Sequence, residues 1–332
     1  MAEEKKKKKE EKTETTDSSA QTDAVKKTGK SLLFDLILDT STNVKEHSKA
    51  FEEGLRAYLA ELVPNSLSDK YFVLFLWIES SISNVHRDQI YRALLKNSSD
   101  PQNKKPVLLF IQSGGGSIEP AYQIAKACHK HSKDKFIVCI PREAKSAATL
   151  IALGADEIHM GDLSQLGPID PQINGLPALG LKDSLREIAR IAGDFPNSQM
   201  MFSQYLRNQM NLAYFGWASR ISDSAIQYGE KLLSLKHSGC VSFTKEEARV
   251  VADKLVNHYK DHGFVVDSDE ATEIFCKPNF IKIDTDELRE CEKIYDDIRF
   301  IIAGFRYVKN IKLELIGCIT DCFRLEIIKD ED

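Results

Sequence analysis

Two turns in this 332-residue chain carry residue types that can do chemistry. The first is "IQSGGGSIEP" (111–120), three glycines between an apolar run and an amphipathic one. Glycine admits positive φ and lets the backbone approach a bound group closely. It also leaves amide N–H groups bare near a helix start, where negative charge is favoured. Those are the requirements of an oxyanion hole. They also suit a phosphate, and a plain tight turn with Ser117 as helix cap would use the same residues. The second turn is "PREAKSAATL" (141–150). An apolar run ends at Ile140, and Ser146 opens the next helix. Its hydroxyl would stand at the carboxyl edge of a parallel sheet, where α/β folds bind ligands. Attack on a carbonyl there would place an oxyanion near the Ala147 amide and the glycine turn, with Ala147 and Ala148 leaving room for substrate. A helix N-cap is the competing role for Ser146. Adjacent parallel strands would bring both turns to one edge, and that favours the chemical reading of each.

Alternating elements must do this positioning. "YFVLFLWI" (71–78), "PVLLFIQ" (106–112), "KFIVCI" (135–140) and "EIHM" (157–160) read as strands, the first three apolar enough to be covered on both faces. Between them 84–97, 117–131 and 146–155 have apolar residues at helical spacing. Alternation at roughly thirty-residue spacing implies parallel strands joined by right-handed crossovers. Residues 181–193, 198–235 and 244–263 read as helices, the last with a Thr244/Glu247 capping box and Gly263 as its stop. Residues 298–328 alternate apolar and polar, which predicts a small antiparallel strand unit, either a lobe or an edge extension.

Bulk properties narrow the function. The composition, 42% hydrophobic and 29% charged, is that of a globular protein. A net charge of -5 gives no argument for nucleic acid. No apolar run is long enough to span a membrane, and the N-terminus has no signal core. Seven cysteines without a CxxC pair read as free thiols in a reducing cytoplasm. The tight group "CHKH" (128–131) reads as a solvated helix face, so no metal and no cofactor are expected. Residues 1–30, rich in Lys, Glu, Ser and Thr, read as a disordered tail. "TGKS" (28–31) is not a phosphate loop, because Ala24 stands where the first glycine is needed.

"SGGGSIEPAYQIAKA", "IPREAKSAATLIALGADEIHM" and "LSQLGPIDPQI" together resemble the serine dehydrogenase proteinase family, a branch of the Clp protease and crotonase superfamily related to signal peptide peptidase A. The match covers about residues 70 to 190. It extends to "KDHGFVVDSDEA" (260–271), similar to a family segment built on His-Asp-Tyr-Pro. The resemblance implies an α/β, crotonase-like spiral of ββα units, with the domain placed over 31–285 and carrying a helical extension; the tail over 1–30 and the β-rich C-terminal extension over 286–332 fall outside the match. It implies a metal-independent serine peptidase forming a homo-oligomer. By position Ser146 would be the nucleophile, and Gly115 and Gly116 with the Ala147 amide the oxyanion hole.

The base is left open by the residues. Segment 161–173, where Clp proteases carry a histidine, holds neither histidine nor lysine. Lys182, 36 residues after Ser146, is the first choice, by analogy with the lysine of the signal peptide peptidase branch. Lys145 adjoins the serine but should point elsewhere, and His159 belongs in the core. His262 matches the family histidine, yet Gly263 replaces the aspartate that should follow it. Asp156 reads as structural. Asp170, between two prolines, reads as structural or as the group that orients the base. The leading expectation is a cytoplasmic serine peptidase acting through an acyl-enzyme on peptide or protein substrates. A degenerate oligomeric peptide-binding scaffold is the alternative, and crotonase-type acyl-CoA chemistry ranks last.

Overall fold

The structure is a computed structural model, and it describes residues 28–41, 46–173, 176–209, 212–320 and 323–327. The expected tail lies outside these residues, apart from its last three. In chain order the elements are α1 (Gly29–Leu38), α2 (Ser48–Leu62), α3 (Asn65–Ser68), β1 (Phe72–Trp77), α4 (Asn84–Ser98), β2 (Val107–Gln112), α5 (Ile118–His131), β3 (Phe136–Ile140), β4 (Glu143–Ala144), α6 (Ala147–Leu153), β5 (Glu157–Met160), β6 (Gln165–Leu166), β7 (Gln172–Ile173), β8 (Leu176–Pro177) and α7 (Ala178–Asp194). They continue with α8 (Gln199–Gln209), α9 (Leu212–Leu233), α10 (Lys245–Asn257), α11 (Ser268–Phe275), β9 (Ile281–Ile283), α12 (Asp286–Lys309), β10 (Ile311–Cys318) and β11 (Phe323–Ile327).

The apolar runs become strands because both of their faces find a core. Leu74, Leu109, Val138 and Ile158 lie in one cross-strand row and Phe75, Phe110 and Cys139 in the next. The first row is buried under α4, α5, α6, α9, α10 and α11, and the second under α1, α2 and α12. The side-chain period of two sends alternate residues to opposite cores, so the central strands are almost wholly apolar. The sheet order is β11-β10-β1-β2-β3-β5-β9. Neighbours from β1 to β9 are parallel, and β10 joins β1 antiparallel.

A second, shorter layer lies at the carboxyl ends of these strands. Ile82 pairs with Gly116 and Ser113 with Ala144, both in parallel, and β4 pairs with β6. Strand, short second strand and helix thus recur along the chain, which is the expected spiral of ββα units.

Three elements differ from the sequence reading. Residues 298–309 are helical, as the last half of α12, because Ile298, Ile301, Ile302 and Phe305 recur at helical spacing and are all buried. Only β10 and β11 of the C-terminal segment are strands, and they extend the sheet edge beside β1. The helix expected over 198–235 is described as α8 and α9, with residues 210–211 outside the described ones. Finally, α10 has the expected capping box but stops at Asn257 instead of Gly263. Just beyond it the Tyr259 ring is buried and its hydroxyl donates to Glu270 Oε1 at 2.6 Å, which draws the chain off the helix axis. At the other end, Thr28 of "TGKS" caps α1 by accepting from the Ser31 amide.

Candidate active site

Ser146 stands between β4 and α6 with φ 52° and ψ −117°. A non-glycine residue there is strained by on the order of 1–3 kcal/mol and persists only where its surroundings hold it. Three bonds do so. The Lys145 amide donates to Ser113 O at 3.0 Å, the Ala148 amide to Lys145 O at 2.9 Å and the Leu150 amide to Ser146 O at 3.1 Å. Thr149 Oγ1, wholly buried, bonds both Ala144 O and Gly167 O and so ties α6 to the turn that follows β6. The Ser146 side chain makes no capping bond, so the N-cap role is not the one it performs. A strained serine on a sharp strand-to-helix turn is the shape of a nucleophile elbow.

The glycine turn meets this serine in space. Gly115 and Gly116 have φ of 111° and 148°. A Cβ on Gly115 would lie 2.8 Å from both Lys145 O and Ser146 Cβ, and one on Gly116 would lie 2.1 Å from Ile82 N. Only glycine fits either place. The loop is clamped from its other side, since the Ile82 amide donates to Gly115 O at 2.8 Å and the Ser117 amide to Ile82 O at 2.9 Å. The Gly115 amide is already committed, donating to Ser113 Oγ at 3.1 Å. The amides of Gly116 and Ala147 donate to none of the described residues.

The third component comes from far along the chain. Leu166 and Val266 form an antiparallel bridge through bonds of 2.8 and 3.1 Å. Counting four residues outward on each side of that bridge sets Asp170 against His262. Their side chains meet, His262 Nδ1 to Asp170 Oδ1, at 2.6 Å. Asp170 is buried, and its Oδ2 accepts from Gln172 Nε2 at 2.7 Å. Burial pushes the Asp170 carboxyl above its usual value, and the bond from His262 opposes that rise. A carboxylate can only accept, so Nδ1 carries the hydrogen of this bond. Lys145 Nζ donates to the adjacent Gly263 carbonyl at 3.3 Å, fastening the loop beside the serine.

One cleft of about 770 Å³ is lined by Ser146, Ala147, Gly114 to Gly116, Asp170 and His262, with Ile118, Ile169, Trp217 and Ile221 among its apolar walls. His159 and Asp156, two other sequence candidates, are not among the residues lining this cleft. His159 is buried on β5 and bonds Thr285 Oγ1 at 2.7 Å. Asp156 is buried beyond the far end of α6. Lys182 falls in the first half of α7, and its side chain lies outside the described residues. The Asp170–His262 pair escaped sequence reading because its members are 92 residues apart. The visible signals were a histidine in the family-like segment and an aspartate 24 residues after the serine.

Residues 74–192 match the model of a family described as ClpP-like SDH-type serine proteinases, so the resemblance noted above holds over that span. Two uncharacterized proteins of Methanocaldococcus jannaschii are similar, 39% identical over 104 residues and 38% over 110. These stretches are 31% and 33% of this chain and 32% and 34% of the relatives, so the chain spans about a third of their length. Among solved structures, two variants of a 1510-N membrane-bound stomatin-specific protease, one with a substrate peptide, give TM-scores of 0.41 and 0.40 at 16% and 14% identity. They cover 67% and 79% of this chain and 84% and 90% of theirs. A ClpP1 from Listeria monocytogenes gives 0.39 at 15% identity, over 65% of this chain and 94% of that one.

Proposed function

We propose that the chain is a serine peptidase in which Ser146 is the nucleophile, His262 the general base and Asp170 the group that orients it. The observation that carries this reading is the Asp170–His262 bond in the same cleft as the strained Ser146. As Ser146 Oγ adds to a peptide carbonyl carbon, His262 Nε2 takes the hydroxyl proton. The carbonyl π electrons move to oxygen, and the amides of Gly116 and Ala147 hold the resulting charge. Gly115 serves this step through its shape, since its amide is engaged by Ser113. Collapse of the intermediate breaks the C–N bond, and His262 returns the proton to the leaving amine. Water, deprotonated by the same imidazole, then releases the acyl group from Ser146. These groups perform the reaction without a metal.

His262 is preferred to Lys182 because its Nδ1 is fixed and its ring lines the cleft. It also answers the lack of a basic residue in 161–173, which had favoured a degenerate scaffold. Apolar walls at Ile118, Trp217 and Ile221 fit an extended peptide. Exposed Phe195, Met200, Met201 and Tyr205 in the α7–α8 region offer a surface for homo-oligomer contacts. No helix among the described residues is long and apolar enough to cross a membrane. The six cysteines among them are free, as a reducing compartment such as the cytoplasm would keep them.

Fluorophosphonate labelling of the folded full-length chain tests the proposal. We expect label on Ser146, absent in Ser146→Ala, strongly reduced in His262→Ala and retained in Lys182→Met. Labelling that survives His262→Ala but disappears in Lys182→Met would return the base to the lysine.

A further inference from the structure

The sequence treats "CHKH" (128–131) as a solvated helix face, but the structure sends its members in different directions. Cys128 is buried, and His131 Nδ1 bonds Ser98 Oγ at 2.7 Å. His129, in the last turn of α5, meets two residues from elsewhere. They are Asp156, just before β5, and His237, beyond the end of α9. One donor atom from each of the three lies within 4.8 Å of the other two. The cluster sits at the opposite end of α6 from Ser146.

An ordinary hydrogen-bonded pair accounts for two of the three residues. Asp156 accepts from the amides of Phe136 and His237 at 2.7 and 2.8 Å, and from His237 Nδ1 at 2.7 Å. That pair leaves His129 unexplained. Its ring stacks on His237 with centroids 3.9 Å apart, and its Nε2 is buried with no partner. A buried nitrogen without a partner costs about 1–3 kcal/mol, and a bound ligand would remove that cost. The neighbouring cation, Lys236, is engaged by the carbonyls of Leu153 and Ala155.

We infer that His129, Asp156 and His237 bind a zinc ion that staples the end of α5 to the start of β5 and the segment after α9. Two imidazoles and a carboxylate are a zinc donor set, with a fourth position left for water. Tetrahedral zinc wants donors about 3.3 Å apart, so separations of up to 4.8 Å must close by as much as about 1.5 Å, and the two stacked rings must turn to face the ion.

Cobalt(II) added to chelator-treated full-length protein is the probe. We expect one equivalent to bind with the visible bands of a four-coordinate site and to be displaced by one equivalent of zinc. His129→Phe fills the space of the imidazole but removes the donor, so it should abolish the bands. It should also weaken zinc binding about 100-fold or more and remove the rise in melting temperature that zinc gives the unaltered protein. His262→Ala should keep the bands. Should His129→Phe fail to fold, His237→Gln is read in the same way. The inference is overturned if no protein-dependent bands appear, if they survive the His129 and His237 substitutions, or if they vanish in His262→Ala.

Discussion

Replacing Asp170 by Asn separates a catalytic role for this carboxylate from a structural one. During acyl transfer His262 becomes an imidazolium, and the Asp170 carboxylate lies 2.6 Å from its Nδ1. With an effective dielectric of about 20, Coulomb's law gives about 6 kcal/mol for that attraction. The His262 side chain is 36% exposed, so solvent screens the pair, and we take about half of that figure. A loss of about 3 kcal/mol in the transition state corresponds to a rate lower by about 100- to 200-fold. An asparagine amide turned toward Nδ1 would also place the hydrogen on Nε2, where it blocks proton uptake, and that deepens the loss.

The same change should leave stability intact. Burial disfavours the charge on Asp170 and holds its carboxyl above the usual value. A carboxyl raised in the folded state detracts from stability once pH exceeds the window between its unfolded and folded values. Asparagine removes that charge while keeping the shape and the contact with Gln172. The assay is the second-order rate of fluorophosphonate labelling at pH 7, alongside thermal melting of the same samples. A labelling rate within threefold of the unaltered protein would refute the reasoning. So would a rate loss accompanied by a fall of more than about 10 °C in melting temperature, since about 1 kcal/mol in a chain of this size moves it by only about 2–4 °C.

Two further outcomes follow from other parts of the molecule. Gly116→Ala puts a Cβ 2.1 Å from the Ile82 amide at a φ of 148°, so labelling of Ser146 should fall at least tenfold while far-UV circular dichroism is unchanged. Normal labelling would mean that the loop does not hold the oxyanion. Glu314 on β10 is buried, which alone would raise its pKa. His86, whose Nε2 lies 3.7 Å from Glu314 Oε2, the bonds from Ser80 and the charge of Lys312 override that and hold it at about 2. Its contribution to stability is therefore complete above the ordinary glutamate range and lost as pH falls toward 2. Melting temperature should drop over that window, and Glu314→Gln should flatten the drop, whereas identical acid limbs would refute the assignment.

How much of this site the sequence discloses depends on how far apart its parts are in the chain. The nucleophile turn and the glycine turn are each a strand, a few residues and a helix. Their meeting follows from β2 and β3 being neighbours in a parallel sheet, so local pattern sufficed. The same logic misled at 298–309. There apolar residues admit both an alternating and a helical reading, and only the second core beneath the sheet, with Ile298 and Phe305 buried in it, decides between them. His129 and His237 show the same limit, since 107 residues of intervening chain hide the contact.

The base completes this contrast. The Gly116 and Ala147 amides are fixed by consecutive ββα units, whose geometry repeats whatever the side chains do. Asp170 and His262 meet only because Leu166 and Val266 pair antiparallel. A slip of one residue in that pairing would turn one of the two side chains away from the other. Two further contacts fasten the loop, Lys145 Nζ to Gly263 O and the buried Tyr259 bonded to Glu270. In the proposed mechanism the nucleophile half is thus built into the fold, and the base half is docked onto it. Changes in segment 257–267 should therefore silence the serine without altering the turn that strains it.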